Sequence, residues 1–299
     1  MKLQQLRDFI TVASTGSLRA AARQLNVTQP AVTKSIQLLE KEIGCSLFDR
    51  AARGVSLNGA GRSFLPRAQA ALNELLRGVQ EIKTLNGEKG SVNIGISAAI
   101  SLTSLGDALK DFRKSFSDVN VRLISGAFSV MFTELRAGAL DFSIGPRPPE
   151  ALGGEFSVEH LFTNSRAVVC RRGHPLGDST SLLDLINAEW LVSGVMGLPA
   201  VEHDQIFLNL GIPVPHTVIQ CEYPTALLAL LAETDMISFL PKQYAADSSF
   251  LRHVLMEVPV REELPRTDIL LIKKSGIPLT PMAEYLLTVI KRHIHYDAL

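Results

Sequence analysis

The sequence predicts a chain of two unlike parts: a small all-α head ending in a short β ribbon, joined by one long helix to a larger α/β domain. Three observations predict it. Apolar residues recur at helical spacing through the first forty or so positions, a heptad-like stripe follows, and from residue 92 short β-branched runs alternate with helical stretches. At 299 residues the chain is long enough for two or three compact units, each with its own core.

Composition narrows the class. No run of eighteen apolar residues occurs, so a membrane span is not expected. The opening MKLQQLRDFITV carries charge at Lys2, Arg7 and Asp8 and lacks the apolar stretch of a secretory leader, so the expected location is cytoplasmic. Cys45, Cys170 and Cys221 are far apart and odd in number, which argues against a disulfide framework or a zinc site and reads as three buried thiols. The net charge of zero conceals an asymmetry: residues 1–58 hold eight basic groups against four acidic ones, and the rest of the chain balances them. A basic module beside an acidic one suggests that only the first approaches a polyanion.

In the head, Leu3, Leu6, Phe9, Ile10 and Ala13 mark a helix ending near Thr15-Gly16. Ser17 can cap a second helix, Leu18 to Leu25, whose Ala20-Ala21-Ala22 run permits close packing. Thr28 can cap a third, with Pro30 in its first turn, where a missing N–H costs nothing. On that helix Ala31, Ile36 and Leu39 are the expected buried side, leaving Gln29, Thr33, Lys34 and Gln37 outside. Gln can read adenine edges, Lys can meet guanine or phosphate, and Thr can touch a thymine methyl. The plain alternative is a solvated helix face. Next, Leu47-Phe48, Arg50, Arg53-Gly54 and Val55-Ser56-Leu57 read as a ribbon with a basic tip, as a wing would.

The run AARQLNVTQPAVTKSIQLLEKEIGCSLFDRAARGVSLNGAG is similar, nearly end to end, to the helix-turn-helix and wing of LysR-type transcription regulators. The resemblance implies a winged helix-turn-helix over residues 1–58, with double-stranded DNA as partner. Gln29, Pro30, Thr33 and Lys34 would lie at the major groove, and Arg50 and Arg53 near the backbone or minor groove. Ser17, Arg19, Thr28 and Gln37 complete the candidate DNA contacts. Where the family often carries Arg, this chain has Lys34, which lacks the bidentate guanidinium fork. The resemblance also implies dimers that pair into tetramers, with RNA polymerase as a further partner.

Asn58 is a good N-cap for a linker helix, and residues 59–90 form the expected linker and hinge. Leu65, Ala68, Leu72, Leu75, Val79 and Ile82 fall at alternating spacings of three and four, a coiled-coil seam on which two chains would dimerise. About 28 helical residues would span roughly 40 Å. The alternative is a helix packed on its own domain, and Pro66 predicts a bend.

Beyond residue 91, strands are expected at Val92–Ile96, Val121–Ile124, Phe142–Ile144, Ala167–Cys170, Val218–Cys221, Ile237–Leu240 and Ile269–Ile272, in mainly parallel sheets. The segments RAGALDFSIG and CRRGHPLG extend the family resemblance. It implies a two-lobed effector domain like a type 2 periplasmic binding protein, one lobe from residues 91–161 and 267–299, the other from 162–266, with crossovers near Leu161 and Pro265. Ligands bind beyond the carboxyl ends of such strands, where helix N-termini offer free N–H groups. Ser97, Ala98, Ala99, Ile100, Phe128, Ser129, Ser193, Val195, Met196 and Tyr223 are therefore the candidate contacts for a small organic effector, with an aromatic carboxylate or sulfonate the expected class. Phe128, Val195 and Met196 are equally readable as core.

No nucleotide-binding glycine motif, nucleophile elbow or H-E-x-x-H helix is present, so neither an enzyme nor a catalytic residue is expected. His293 and His295 stand two apart on the last helix, where side chains diverge, so no metal or cofactor is expected either. The remaining alternative is a small-molecule binding protein with no DNA role.

Overall fold

The computed structural model of the chain describes residues 1–51, 54–85, 89–125, 128–148, 151–193, 199–221, 223–246 and 251–294. The head comprises α1 (Leu3–Thr15), α2 (Leu18–Gln24), α3 (Gln29–Ile43) and an antiparallel ribbon of β1 (Phe48–Ala51) and β2 (Gly54–Leu57). One apolar stripe from each helix closes a single core of Leu6, Phe9, Val12, Ala21, Ala22, Val32, Ile36 and Leu39. The Phe9 ring is fully buried, 5.4 Å from that of Phe48 and 5.3 Å from that of Phe64. Ser17 caps α2 by accepting the Ala20 N–H at 3.3 Å.

Two expectations about α3 are corrected. Ala31 is exposed and Val32 is buried in its stead, because Val32, Ile36 and Leu39 share one stripe of a 3.6-residue helix and Ala31 sits at its flank. Thr28 does occupy the N-cap with extended backbone, but its hydroxyl accepts no capping bond. Pro30 follows within the first turn and has no N–H to donate.

The ribbon is tied to the turn between α1 and α2: the Val55 N–H donates to the Gly16 carbonyl at 3.1 Å. At Gly54 φ is +141°, and a Cβ would lie 2.7 Å from that same carbonyl, so this position requires glycine. The linker helix α4 (Gly59–Leu85) starts at Asn58, whose Oδ1 accepts the Gly61 N–H at 2.9 Å while its Nδ2 donates to the Ser46 carbonyl. Pro66 lies inside α4 without ending it.

The larger domain continues through β3 (Ser91–Ile96), α5 (Ala98–Thr103), α6 (Leu105–Ser115), β4 (Asn120–Ile124), α7 (Phe128–Arg136), β5 (Phe142–Pro146) and the long β6 (Phe156–Arg171). Then come β7 (Glu189–Ser193), α8 (Pro199–Asn209), β8 (Thr217–Cys221), α9 (Pro224–Glu233), β9 (Met236–Pro241), α10 (Gln243–Ala246), β10 (Leu255–Val258), β11 (Arg266–Lys274) and α11 (Pro281–His293). The strand order is β4-β3-β5-β11-β6-β9-β7-β8, with β10 also on β6.

The sheet is mixed, which corrects the expectation of mainly parallel strands. Parallel pairing holds at the flanks, β4-β3-β5 and β9-β7-β8, where helices cross over between strands. In the middle β5, β11, β6 and β9 are antiparallel, because β6 and β11 are the strands that carry the chain out of one lobe and back. Residues 156–165 of β6 pair with β11, and from Arg166 the same strand pairs with β9 and then β10. The change of partner thus falls between Ser165 and Arg166, beyond the expected Leu161. The strands β7 and β10 and the first half of β6 were not foreseen.

Each lobe has its own core. In the first, Ile94, Ile96, Phe142 and Ile144 pack against Phe112 of α6 and Leu286 and Ile290 of α11. In the second, Trp190 is fully buried among Phe207, Phe239 and the ring of His203, and its Nε1–H donates to the Leu185 carbonyl at 3.0 Å. His174 locks its turn: Nδ1 accepts the Leu176 N–H at 2.9 Å, leaving Nε2 to donate to the Asp235 carbonyl. Cys170 and Cys221 are buried as expected, whereas Cys45 is exposed at the end of α3. Burial pushes the Cys170 thiol up to about 11.

Candidate functional site

The first candidate surface is on α3. Its inner stripe is locked in the head core, which fixes the rotation of the helix and turns Gln29, Pro30, Lys34 and Gln37 outward. Thr33 is half-buried and its hydroxyl already donates to the Gln29 carbonyl at 3.0 Å, leaving lone pairs and a methyl to present. Thr28 is exposed at the start of the same helix, and Arg19 is exposed beside the half-buried Ser17, whose hydroxyl is engaged in its cap. Arg50 lies in β1 opposite Val55, and Arg53 lies outside the described residues. An exposed, rigid helix face of amides and ammonium, flanked by a ribbon, can enter a major groove.

The second candidate site lies where β3, β5, β11 and β6 present one end of the sheet. Ser97 leaves β3 there, held by its N–H on the Ile144 carbonyl at 2.8 Å. Its Oγ is buried with no hydrogen-bond partner. On the crossing strand β6, opposite Thr267, Asn164 is 4% exposed and its Oδ1 is likewise unpartnered. Lys242 donates its N–H to the Ser165 carbonyl at 2.9 Å, which brings the first residue of α10, Gln243, beside that strand; its Oε1 is the third buried atom without a partner. Buried polar atoms are nearly always paired in a finished interior, so three orphans around one inter-lobe strand point to a ligand's place.

Arg147, directly after β5, closes the rim. Its Nε and Nη2 donate to Asp268 Oδ2 at 3.2 and 3.0 Å, and Thr163 donates to the other oxygen at 3.1 Å. The Arg147 and Thr163 hydrogen bonds hold the Asp268 carboxyl below its usual range. None of Asn164, Gln243, Arg147 or Asp268 was found from sequence. They sit on crossing strands and turns whose meeting is a property of the assembled sheet.

The expected effector contacts fare unevenly. Ile100 is corrected: it is 1% exposed in the first-lobe core, pointing into the sheet from α5. Ala98 and Ala99 form the first turn of α5, Phe128 and Ser129 that of α7, and Ser193 closes β7. Val195 and Met196 lie outside the described residues. Tyr223 precedes α9 with its side chain 73% exposed.

The expected seam on α4 divides. Leu65 packs against the head core and Ala68 belongs to it, so these two serve the chain's own head; this corrects their assignment to a dimer. Leu72 is buried, while Leu75, Val79 and Ile82 are at least half exposed. Among the described residues no group of His, Cys, Asp and Glu could hold a metal ion. His293 pairs with Asp111 at 2.8 Å, and His295 lies outside the described residues.

Comparison with known proteins agrees with this division. Residues 3–62 match the family described as "Bacterial regulatory helix-turn-helix protein, lysR family", and residues 85–294 match "LysR substrate binding domain". The chain is 26% identical over 301 residues to the HTH-type transcriptional regulator TdcA of Escherichia coli K12, covering 99% of this chain and 94% of that protein. It is 28% identical over 249 residues to the HTH-type transcriptional regulator GbpR of Azospirillum brasilense, covering 82% and 73%. The fold matches that of full-length CbnR complexed with its target DNA, with a TM-score of 0.68 at 23% identity, covering 98% of this chain and all of that one.

Proposed function

Because the chain belongs to the LysR family of DNA-binding transcription regulators with a small-molecule effector domain, we propose how its residues divide that work. The observation that carries the reading is the outward stripe of Gln29, Lys34 and Gln37 on a helix whose opposite side is anchored in the head core. Gln29 and Gln37 read base edges, and Lys34, with the arginines of the ribbon, contacts phosphate or guanine. Two heads are held together by Leu72, Leu75, Val79 and Ile82 of paired α4 helices, so the operator has two-fold character. Dimers pair into tetramers.

The effector is a small organic anion, with an aromatic carboxylate or sulfonate the favoured class. It sits against Ser97, Asn164 and Gln243, and the N-termini of α5 and α7 face its charge. It acts by binding two arrangements of the lobes with different affinity. Fluorescence-anisotropy titration of the protein against the duplex upstream of its own gene, and against a scrambled duplex, at two salt concentrations tests the reading. Salt-sensitive preference for the upstream duplex is expected; equal affinity for both would refute the assignment of base-reading residues.

A further inference from the structure

The linker helix carries a second stripe, on a different face from the apolar one. Asn73, Arg77 and Gln80 recur at spacings of four and three and all reach the first lobe. Asn73 Nδ2 donates to the Ala137 carbonyl at 2.7 Å, and Gln80 Nε2 donates to the Lys89 carbonyl at 2.5 Å. Between them Arg77 Nη2 lies 3.2 Å from Asp141 Oδ1. The pair is well shielded, with the Asp141 side chain 4% and that of Arg77 18% exposed. Asp141 is itself fixed: its N–H donates to the Asn93 carbonyl at 2.8 Å and its Oδ2 accepts the Asn93 N–H at 2.7 Å.

The junction has little apolar packing to set its angle. A cleft of about 330 Å³ opens beside the ion pair, lined by Leu76, Arg77, Glu81, Asn93, Asp141 and Met282. Polar contacts therefore decide how the helix lies on the lobe, and a shielded ion pair is strongly directional because losing one partner strands the other. At its other end the same unbroken helix is built into the head core through Ala68.

We propose that Arg77 and Asp141 form a latch that sets the angle of the linker helix on the first lobe, so that head and first lobe turn as one body. Closure about β6 and β11 then moves the second lobe relative to that body.

The test is a distance distribution between spin labels at the exposed Cys45 and at Lys110→Cys on the first lobe, measured in the full chain diluted into unlabelled protein; Cys170 and Cys221 are buried. One narrow distribution is expected without further change. Arg77→Met and Asp141→Asn should each broaden or shift it, and the double variant should do no more than either alone. Asp141→Asn keeps an acceptor for the Asn93 N–H, so it remains informative if Arg77→Met folds poorly. An unchanged distribution in both single variants, or additive broadening in the double, would overturn the latch.

Discussion

The head and the inter-lobe cleft bind by opposite means. The head presents side chains that are exposed and have nothing to do in the fold: Gln29, Lys34 and Gln37 stand outside a helix held from behind. The cleft presents polar atoms that are buried and have no partner: Ser97 Oγ, Asn164 Oδ1 and Gln243 Oε1. A long polyanion can be met by a convex surface, whereas a small ligand must replace water on every side. The contrast predicts that the two sites respond differently to substitution.

The largest effect is expected where the head's surface depends on its core. Phe9→Ala removes a fully buried ring from between Phe48 and Phe64 and should cost about 3–5 kcal/mol. Calorimetry should then show the head melting separately, with the lobes keeping their own transition and specific DNA binding lost. Next in size, Gln29→Ala should cost about 1–3 kcal/mol of discrimination between operator and random duplex. Lys34→Met should instead weaken binding to both and reduce the slope of log affinity on log salt by about 0.9. Equal losses of discrimination from the two changes would erase the division between reading and anchoring.

In the cleft, Ser97→Ala deletes a hydroxyl that the unliganded fold does not use, so stability should change by less than about 1 kcal/mol in either direction while the response to effector falls. A large loss in urea unfolding would make Ser97 structural and end the contrast.

The smallest effect concerns pH. His203 is 5% exposed beside Trp190, Phe207 and Phe239, and burial holds its pKa below the usual 6.5 against the opposing hydrogen bond from Asp204. The unfolded chain takes up a proton that the native state refuses. The second lobe should therefore be fully stable above about pH 6.5 and lose stability as pH falls towards the depressed native value. Urea midpoints at about pH 7.5 and about pH 5.5 should differ in the parent chain and converge in His203→Phe.

Within the fold, the head was the more legible region. Its helix ends, the Ser17 and Asn58 caps and the ribbon follow from residues within a few positions of one another. The larger domain was legible strand by strand but not as a sheet. The run Phe156–Ser165 is partly exposed and carries no clean alternation, so only its pairing with β11 marks it as a strand. Likewise, Leu65 and Leu75 occupy equivalent positions of one heptad pattern, yet one packs on the head and the other stands in solvent.

By itself, then, the sequence determined the helical head, the face of α3 that is free to meet DNA, the length of the linker and the alternation of strands and helices, because period and capping are set by near neighbours. Only the tertiary structure decided which half of the linker is spent inside its own chain, which polar atoms are left unpaired in the cleft, and that Arg77 meets Asp141. Those depend on which distant segments come to lie against each other, and residue spacing carries no record of that.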